Sequence, residues 1–242
     1  MDFEQAVIFA GGRGERLRPL TDTIPKPMAP VNGRPFVDYL LTMLRDAGIR
    51  RVVFLLGYKA ESVVDHYRDH EIKGLQIDYS IGKEEDQTGR RLINAYEKLD
   101  GKFLALYGDN YWPVPLEKMK KNYAQLGVSL TTTVFSNKNG TGEYGFGNNV
   151  MVDPNGRVKA YDKSRRLPGL NGVDIGFFLV DKKVIDCEET GNISFEEVVL
   201  SKMAVKGCLG AFMTDEQYYY ITSFETLKSF EQVVKQKAIA VF

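Results

Sequence analysis

The chain has 242 residues, 43% hydrophobic and 26% charged, with 32 Lys+Arg set against 32 Asp+Glu. That is enough for one large α/β domain with a full core, and the balanced charge excludes a global basic surface for nucleic acid or an anionic membrane. The opening MDFEQAVIFAGG reads as neither signal nor transit peptide, and no apolar run approaches the roughly 20 residues that span a bilayer, so a cytoplasmic protein is expected.

Strand-like and helical patterns alternate through the first half. Ala6–Phe9 is short, apolar and closed by glycine, as a buried parallel strand is. Pro35 opens a helix in which Phe36, Tyr39, Leu40, Met43, Leu44 and Ala47 recur at helical spacing, and Gly48 ends it. Val52–Leu56 predicts a second buried strand, Ala60–Tyr67 a helix, and Leu75–Ser80 an alternating strand. Arg90–Leu99 predicts a further helix, and Phe103–Tyr107 a strand running into Gly108-Asp109-Asn110. This βαβαβαβ order predicts a three-layer α/β/α, Rossmann-like fold with a predominantly parallel sheet. Ligands in such sheets gather at the carboxyl ends of the strands, which places the loops after Phe9, Leu56, Ser80 and Tyr107 on one rim.

The second half changes character. Leu116–Leu126 is helical and Ser129–Phe135 strongly β-prone. Val150–Val152 and Val158–Tyr161 straddle Asp153-Pro154-Asn155-Gly156, which has the chemistry of a hairpin turn. Gly172–Val180 predicts a strand. Ser194 can cap a helix over Glu196–Val205, with Glu197 at the capping-box position. Leu209–Phe212 and Tyr218–Thr222 predict short strands, and Phe224–Gln236 a closing helix. Cys187 and Cys208 have no metal spacing and form no disulfide framework; each is expected to be a small buried hydrophobe. No linker or repeat divides the chain, so one domain over 1–242 is expected, with an antiparallel lobe between about Asn137 and Asn171.

The densest chemistry lies in Val7 to Pro30, VIFAGGRGERLRPLTDTIPKPMAP. Gly11, Gly12 and Gly14 permit positive φ and close approach to a ligand, and successive amides in such a loop form a concavity suited to anions. Arg13, Arg16 and Lys26 flank it, so the loop reads as triphosphate-binding and catalytic; the bland alternative is a solvated basic loop. It is not a Walker loop, since no Gly-Lys-Ser/Thr occurs. Nor is it a dinucleotide loop: Leu17 stands where the third glycine belongs, and Pro19, Pro25, Pro27 and Pro30 keep the chain largely non-helical. His66 and His70 fall in one stretch and read as surface residues, and no Ser/His/Asp or Cys/His arrangement stands out.

The run AGGRGERLRPLTDTIPKPMAPVNGRPFVDYLL resembles the signature of the sugar-1-phosphate nucleotidylyltransferases, whose sheet is of the nucleotide-diphospho-sugar transferase type. The resemblance covers nearly the whole chain, and within the family it is closest to small guanylyltransferases acting on heptose 1-phosphate and to related hexose-1-phosphate enzymes. It implies a reaction between an NTP and a sugar 1-phosphate (or similar phosphorylated small molecule) that yields a nucleotide-sugar and pyrophosphate, for surface glycan synthesis. It also implies a nucleotide half, 1–135, and an acceptor half, 136–242. The attacking phosphate oxygen is already anionic, so such catalysis is mostly positioning and electrostatic stabilisation.

By matched position, the resemblance assigns Arg16 and Lys26 to catalysis and Ala10, Gly11, Gly12, Arg13 and Gly14 to the nucleotide. Asp109, after the strand FLALY, matches the family's Mg²⁺ carboxylate, with Gly108 before it. Tyr144-Gly145 matches the family's Tyr-Gly near the sugar, Asp162-Lys163 its Glu-Lys pair for sugar hydroxyls and phosphate, and Asp174 the start of its sugar-facing Asn-Ala-Gly. Where close relatives carry Leu-Gly-Thr-Gly-Gly-Ala beside the base, this chain has Asp86-Gln87-Thr88-Gly89-Arg90-Arg91. Gln87, Thr88, Gly89 and Arg90 are the expected base or ribose contacts, although Arg90 can equally point away. Tyr220 stands where the family has its second metal aspartate, and a neutral phenol is a poor Mg²⁺ ligand; either Asp109, phosphates and water hold the metal, or a nearby acid such as Asp215 or Glu216 substitutes, or metal-dependent turnover is weakened or lost. Three alternatives stay open: a nucleotidylyltransferase for a non-sugar phosphate, a catalytically silent nucleotide-binding regulator and, distantly, a dinucleotide-dependent oxidoreductase. Homo-oligomerisation is left open.

Overall fold

The computed structural model describes residues 3–239, so Met1 and Asp2 of the N-terminal reading and the last residues of the expected 1–242 unit lie outside it. Seven strands form the main sheet: β1 (Gln5–Phe9), β2 (Arg51–Leu56), β3 (Gln76–Ile81), β4 (Lys102–Tyr107), β5 (Leu130–Phe135), β6 (Val173–Asp181) and β7 (Leu209–Thr214). Their order is β7-β5-β6-β4-β1-β2-β3. All neighbours pair in parallel except β6, which runs antiparallel to both β4 and β5. The sheet is therefore mixed and mostly parallel.

Period-two alternation sends apolar side chains to both faces. Ala6 and Ile8 of β1, with Phe54, Leu104 and Leu106, meet α1 (Phe36–Asp46), α2 (Ala60–Asp69), α4 (Leu116–Leu126) and α6 (Phe224–Gln236) in one core. Val7 and Phe9, with Val53, Leu55 and Phe178, meet α3 (Thr88–Asn94) and the segment from Phe195 through α5 (Ser201–Val205) in the other. On the first face Phe230 of α6 is the hub, with ring centroids 5.1 Å from Phe36 and 5.2 Å from Tyr111. Burying one such ring contributes about 1.5–3 kcal/mol.

Several expectations shift in detail. The helix expected over Arg90–Leu99 starts at Thr88 and stops at Asn94, a weak helix former, before a 3₁₀ turn over Tyr96–Lys98. The helix expected over Glu196–Val205 begins as a six-residue π-helix, Phe195–Leu200, and becomes α-helical only at α5. Ser194 Oγ does accept from the Glu197 amide at 3.2 Å, but the Glu197 carboxylate faces Lys163 at 3.4 Å. The completed capping box is at α6, between Ser223 and Thr226. Of Tyr218–Thr222 only Tyr219–Tyr220 is a strand, antiparallel to Asn110–Tyr111. Both cysteines are exposed, contrary to expectation. Cys187 stands in a turn two residues after the buried Ile185, and Cys208 directly before the buried Leu209, and these apolar residues take the core positions. His66 is half-buried, its ring stacked on His70 at 4.6 Å and its Nε2 4.0 Å from the buried Asp38. Among the described residues no helix is long and apolar enough to cross a membrane.

β6 does the most to position the site. Running against its neighbours, it starts at the rim where β1, β2, β4 and β5 end, so Asp174 lies just beyond the end of β4.

Candidate active site

β1 delivers the chain to the rim at Ala10, whose amide still bonds Leu55 O of β2 at 3.0 Å. Beyond it the amides of Gly11, Gly12, Arg13 and Gly14 donate no hydrogen bond among the described residues. Gly14 has φ +65°, and an added Cβ would crowd Lys26 and Thr21 at 3.0 and 3.1 Å, so only glycine fits. Three 3₁₀ turns (Glu15–Leu17, Leu20–Asp22 and Lys26–Met28) hold the proline-rich continuation, and Leu17 is fully buried beneath it. Thr21 Oγ1 donates to Gly14 O at 2.9 Å and tethers the loop.

That path brings Lys26 against the end of β4, where its Nζ lies 2.8 Å from Asp109 Oδ2. The Asp109 carbonyl in turn accepts from the Ile221 amide at 3.0 Å, and Tyr220 pairs with Asn110. Arg16 crosses the cleft to Glu143 Oε1 at 2.8 Å. Partial burial works against the Arg16 charge, but the bond and field of Glu143 outweigh it and raise its pKa.

The opposite end is acidic and half-buried. Asp174 Oδ1 accepts from Thr132 Oγ1 at 2.8 Å and the Gly176 amide at 2.9 Å, and Oδ2 accepts from Tyr161 Oη at 2.8 Å. Burial dominates these bonds and pushes its pKa up to about 6. Glu196 shows the reverse balance. Burial would raise it, but bonds from Ser194 and Thr88 Oγ (2.7 Å each) and Tyr107 Oη hold it below the ordinary value.

These groups line one cleft of about 850 Å³. It gathers Ala10, Gly11, Gly12, Gly14, Arg16, Lys26, Gln87, Thr88, Gly108, Asp109, Tyr144, Lys163 and Asp174. Five expected residues are placed elsewhere. Arg13 pairs with Glu84 at 2.7 Å. Gly89 packs under Ile193 at the start of α3. The Arg90 guanidinium turns away to the carbonyls of Glu189 and Gly191. Gly145 forms a turn, its carbonyl accepting from Asn137. Asp162 caps its own turn, accepting from the Ser164 hydroxyl and from the amides of Ser164, Arg166 and Leu167, which lowers its pKa. Strand alternation is the reason for this last outcome: Tyr161 faces inward, so Asp162 cannot.

Sequence reasoning missed Arg91, Glu143, Tyr161 and Glu196. Glu143 sits directly before the singled-out Tyr144, and Arg91 directly after Arg90, so proximity to a motif was their signal. Glu196 carried none, because a glutamate in a first helical turn is ordinary.

A loop of unpartnered amides after β1, faced by cation–carboxylate pairs on the carboxyl rim of a mixed α/β sheet, is the arrangement of the α/β proteins that handle phosphorylated ligands. More specifically, a family model described as "Nucleotidyl transferase" matches residues 5–204, and the chain belongs to that family. It is 30% identical over 211 residues to D-glycero-alpha-D-manno-heptose 1-phosphate guanylyltransferase of Campylobacter jejuni, covering 85% of this chain and 90% of that one. The Aneurinibacillus thermoaerophilus protein of the same description is 29% identical over 216 residues, covering 88% and 91%. Among solved structures, HddC from Yersinia pseudotuberculosis complexed with GMP-PN superposes with a TM-score of 0.79 at 25% identity, covering 96% of this chain and 99% of HddC. The chain is thus a nucleotidyltransferase.

Proposed function

We propose that this nucleotidyltransferase joins an NTP to a sugar 1-phosphate, releasing pyrophosphate and giving an activated sugar for surface glycan synthesis. An acceptor phosphate oxygen attacks the α-phosphorus; the bond from that phosphorus to the bridging oxygen breaks, and pyrophosphate leaves with the electron pair. No proton need be removed, so the work is to hold anions together and stabilise charge. The free amides of the Gly11–Gly14 loop receive the triphosphate, Arg16 neutralises it, and Lys26 serves the phosphates of both substrates. Tyr144, Lys163 and Asp174 take the acceptor, with Tyr161 and Glu196 completing its floor. The nucleotide half, 1–135, and the acceptor half, 136–242, work as one domain. The observation that carries this reading is the convergence of Arg16, Lys26, Asp109 and unpartnered loop amides on one cleft.

Mg²⁺ fits Asp109, because it is satisfied by one or two protein carboxylates together with substrate phosphates and water. Among the described residues no group of three His, Cys, Asp or Glu could hold a metal. Bound at Asp109, the ion would supply charge neutralisation at the phosphates. Asp215 and Glu216 are not among the cleft's lining residues, and Asp215 pairs with Lys138 at 3.0 Å, which supports Asp109, phosphates and water over either acid as the holders of the ion.

Tyr220 motivates a second reading, a silent nucleotide binder. The test is pyrophosphate release with each NTP, Mg²⁺ and a panel of phosphorylated sugars and small alcohols, GTP being tried first because the relatives named above are guanylyltransferases. Release with one pair is the expected result. No release with any pair, alongside a nucleotide-induced rise in Tm, supports the silent binder. Tyr220→Asp should tighten Mg²⁺ binding; unchanged affinity would remove position 220 from the metal's surroundings.

A further inference from the structure

Arg91 is 5% exposed, and no carboxylate pairs with it among the described residues. Its guanidinium instead donates to four backbone carbonyls at the carboxyl rim. Nη1 bonds Leu56 O at 2.6 Å, and Nη2 bonds Gly11 O at 3.2 Å, Lys83 O at 3.0 Å and Glu84 O at 3.1 Å. The ends of β1, β2 and β3 are thereby tied to one cation. Gly11 and Gly57 leave the room for it, since a Cβ on either would run into the guanidinium. Burial lowers its pKa, opposed by the more distant Asp86 and Glu85, but an arginine stays charged.

Two consequences follow for the phosphate loop. Gly11 O also accepts from the Tyr58 amide at 3.1 Å, so that carbonyl is fixed from two sides. In a trans peptide the C=O and the following N–H point in opposite directions, so fixing Gly11 O aims the Gly12 amide away from Arg91. The second consequence is charge. Arg16 and Lys26 are each offset by a carboxylate at 2.8 Å, whereas Arg91 is held by carbonyl dipoles and feels Asp86 and Glu85 only from farther off. A buried charge acts through a lower dielectric than a surface one.

We propose that Arg91 is a positioning residue for the nucleotide's phosphates, locking the Gly11–Gly12 peptide in its anion-binding orientation and setting a fixed cation, with no directly paired carboxylate, beneath the loop. This rests on the reading of the loop as the triphosphate site.

Arg91→Ala and Arg91→Lys are compared with the wild-type chain by calorimetry, using inorganic tripolyphosphate, GTP, GDP and GMP as probes. Arg91→Ala should weaken tripolyphosphate and GTP by at least tenfold and GMP by less than threefold, because the effect scales with the number of phosphates. Nucleotide KM should rise while acceptor KM holds, and millimolar guanidinium should restore part of the affinity by refilling the slot between Gly11 and Gly57. Arg91→Lys keeps charge but cannot bridge four carbonyls, and should fall between the two. It also serves if the alanine variant does not fold. Unchanged tripolyphosphate affinity in either folded variant, or equal losses for GMP and GTP, would overturn the role of Arg91 alone. Failure of the wild type to bind tripolyphosphate or any NTP would overturn the triphosphate site itself, and this proposal with it.

Discussion

Asp174 gives the sharpest prediction, because desolvation makes its ionisation costly in spite of the hydrogen bonds it accepts. Its pKa is raised to about 6 by desolvation at the half-buried cleft wall, against an ordinary value near 4. A carboxyl raised in the folded state binds its proton more tightly there, so stability is greatest below the unfolded pKa and falls as pH rises through the folded one. Two pH units correspond to roughly 3 kcal/mol at 1.36 kcal/mol per unit, lost between about pH 4 and pH 7. Asp174→Asn keeps an oxygen for Thr132 and the Gly176 amide and lets Tyr161 reverse its hydroxyl, while removing the charge. The variant should gain about 1–3 kcal/mol over wild type at pH 8, roughly 3–10 °C in Tm for a chain of this size. The gain should shrink toward zero near pH 4.5. Urea unfolding of both proteins across pH 4.5–8 tests this, and parallel stability curves would refute the burial argument.

Lys26→Ala and Asp109→Ala should each lower kcat by about 10²–10³ without unfolding the protein; full turnover in either removes that residue from the chemistry. Phe230→Ala leaves a void among Phe36, Tyr39, Tyr111 and Tyr219 and should cost about 3–5 kcal/mol in chemical denaturation; a loss under 1 kcal/mol would mean that this face of the core collapses around the gap. Both cysteines should react with a thiol reagent in the folded protein. Protection of either would contradict its exposure.

The sheet was legible because β1, β2 and β4 are apolar on both faces, which only a strand between two helical layers tolerates. The loop residues from Ala10 to Lys26 and Asp109 were legible because glycines, prolines and cations at such spacing have few other uses. What escaped were contacts that strand phase and tertiary approach decide. Asp162 and Tyr161 exchange roles by one step of the pleat. Arg90 and Arg91 look interchangeable in a row of letters, yet one turns to the carbonyls of Glu189 and Gly191 and the other into the cleft wall. The π-helix over Phe195–Leu200 has no local signal separate from an α-helix, and it is what presents Glu196 to Tyr107 and Thr88. Cysteine preference misled because burial is a statistical habit of the residue and a turn is a local fact.

The reversed strand has a consequence for how the chain is made. β5 ends at Phe135 but bonds none of β1–β4; it joins the sheet only through β6 and β7, which are not complete until Asp181 and Thr214. A nascent chain that has emerged only as far as Phe135 therefore holds β4 as a bare edge and β5 as an orphan, both rich in apolar residues and open to mispairing. The sheet closes by inserting a late strand between two early ones, so assembly waits on contacts distant in sequence. Severing the chain between the two halves would leave each without the strand that completes it.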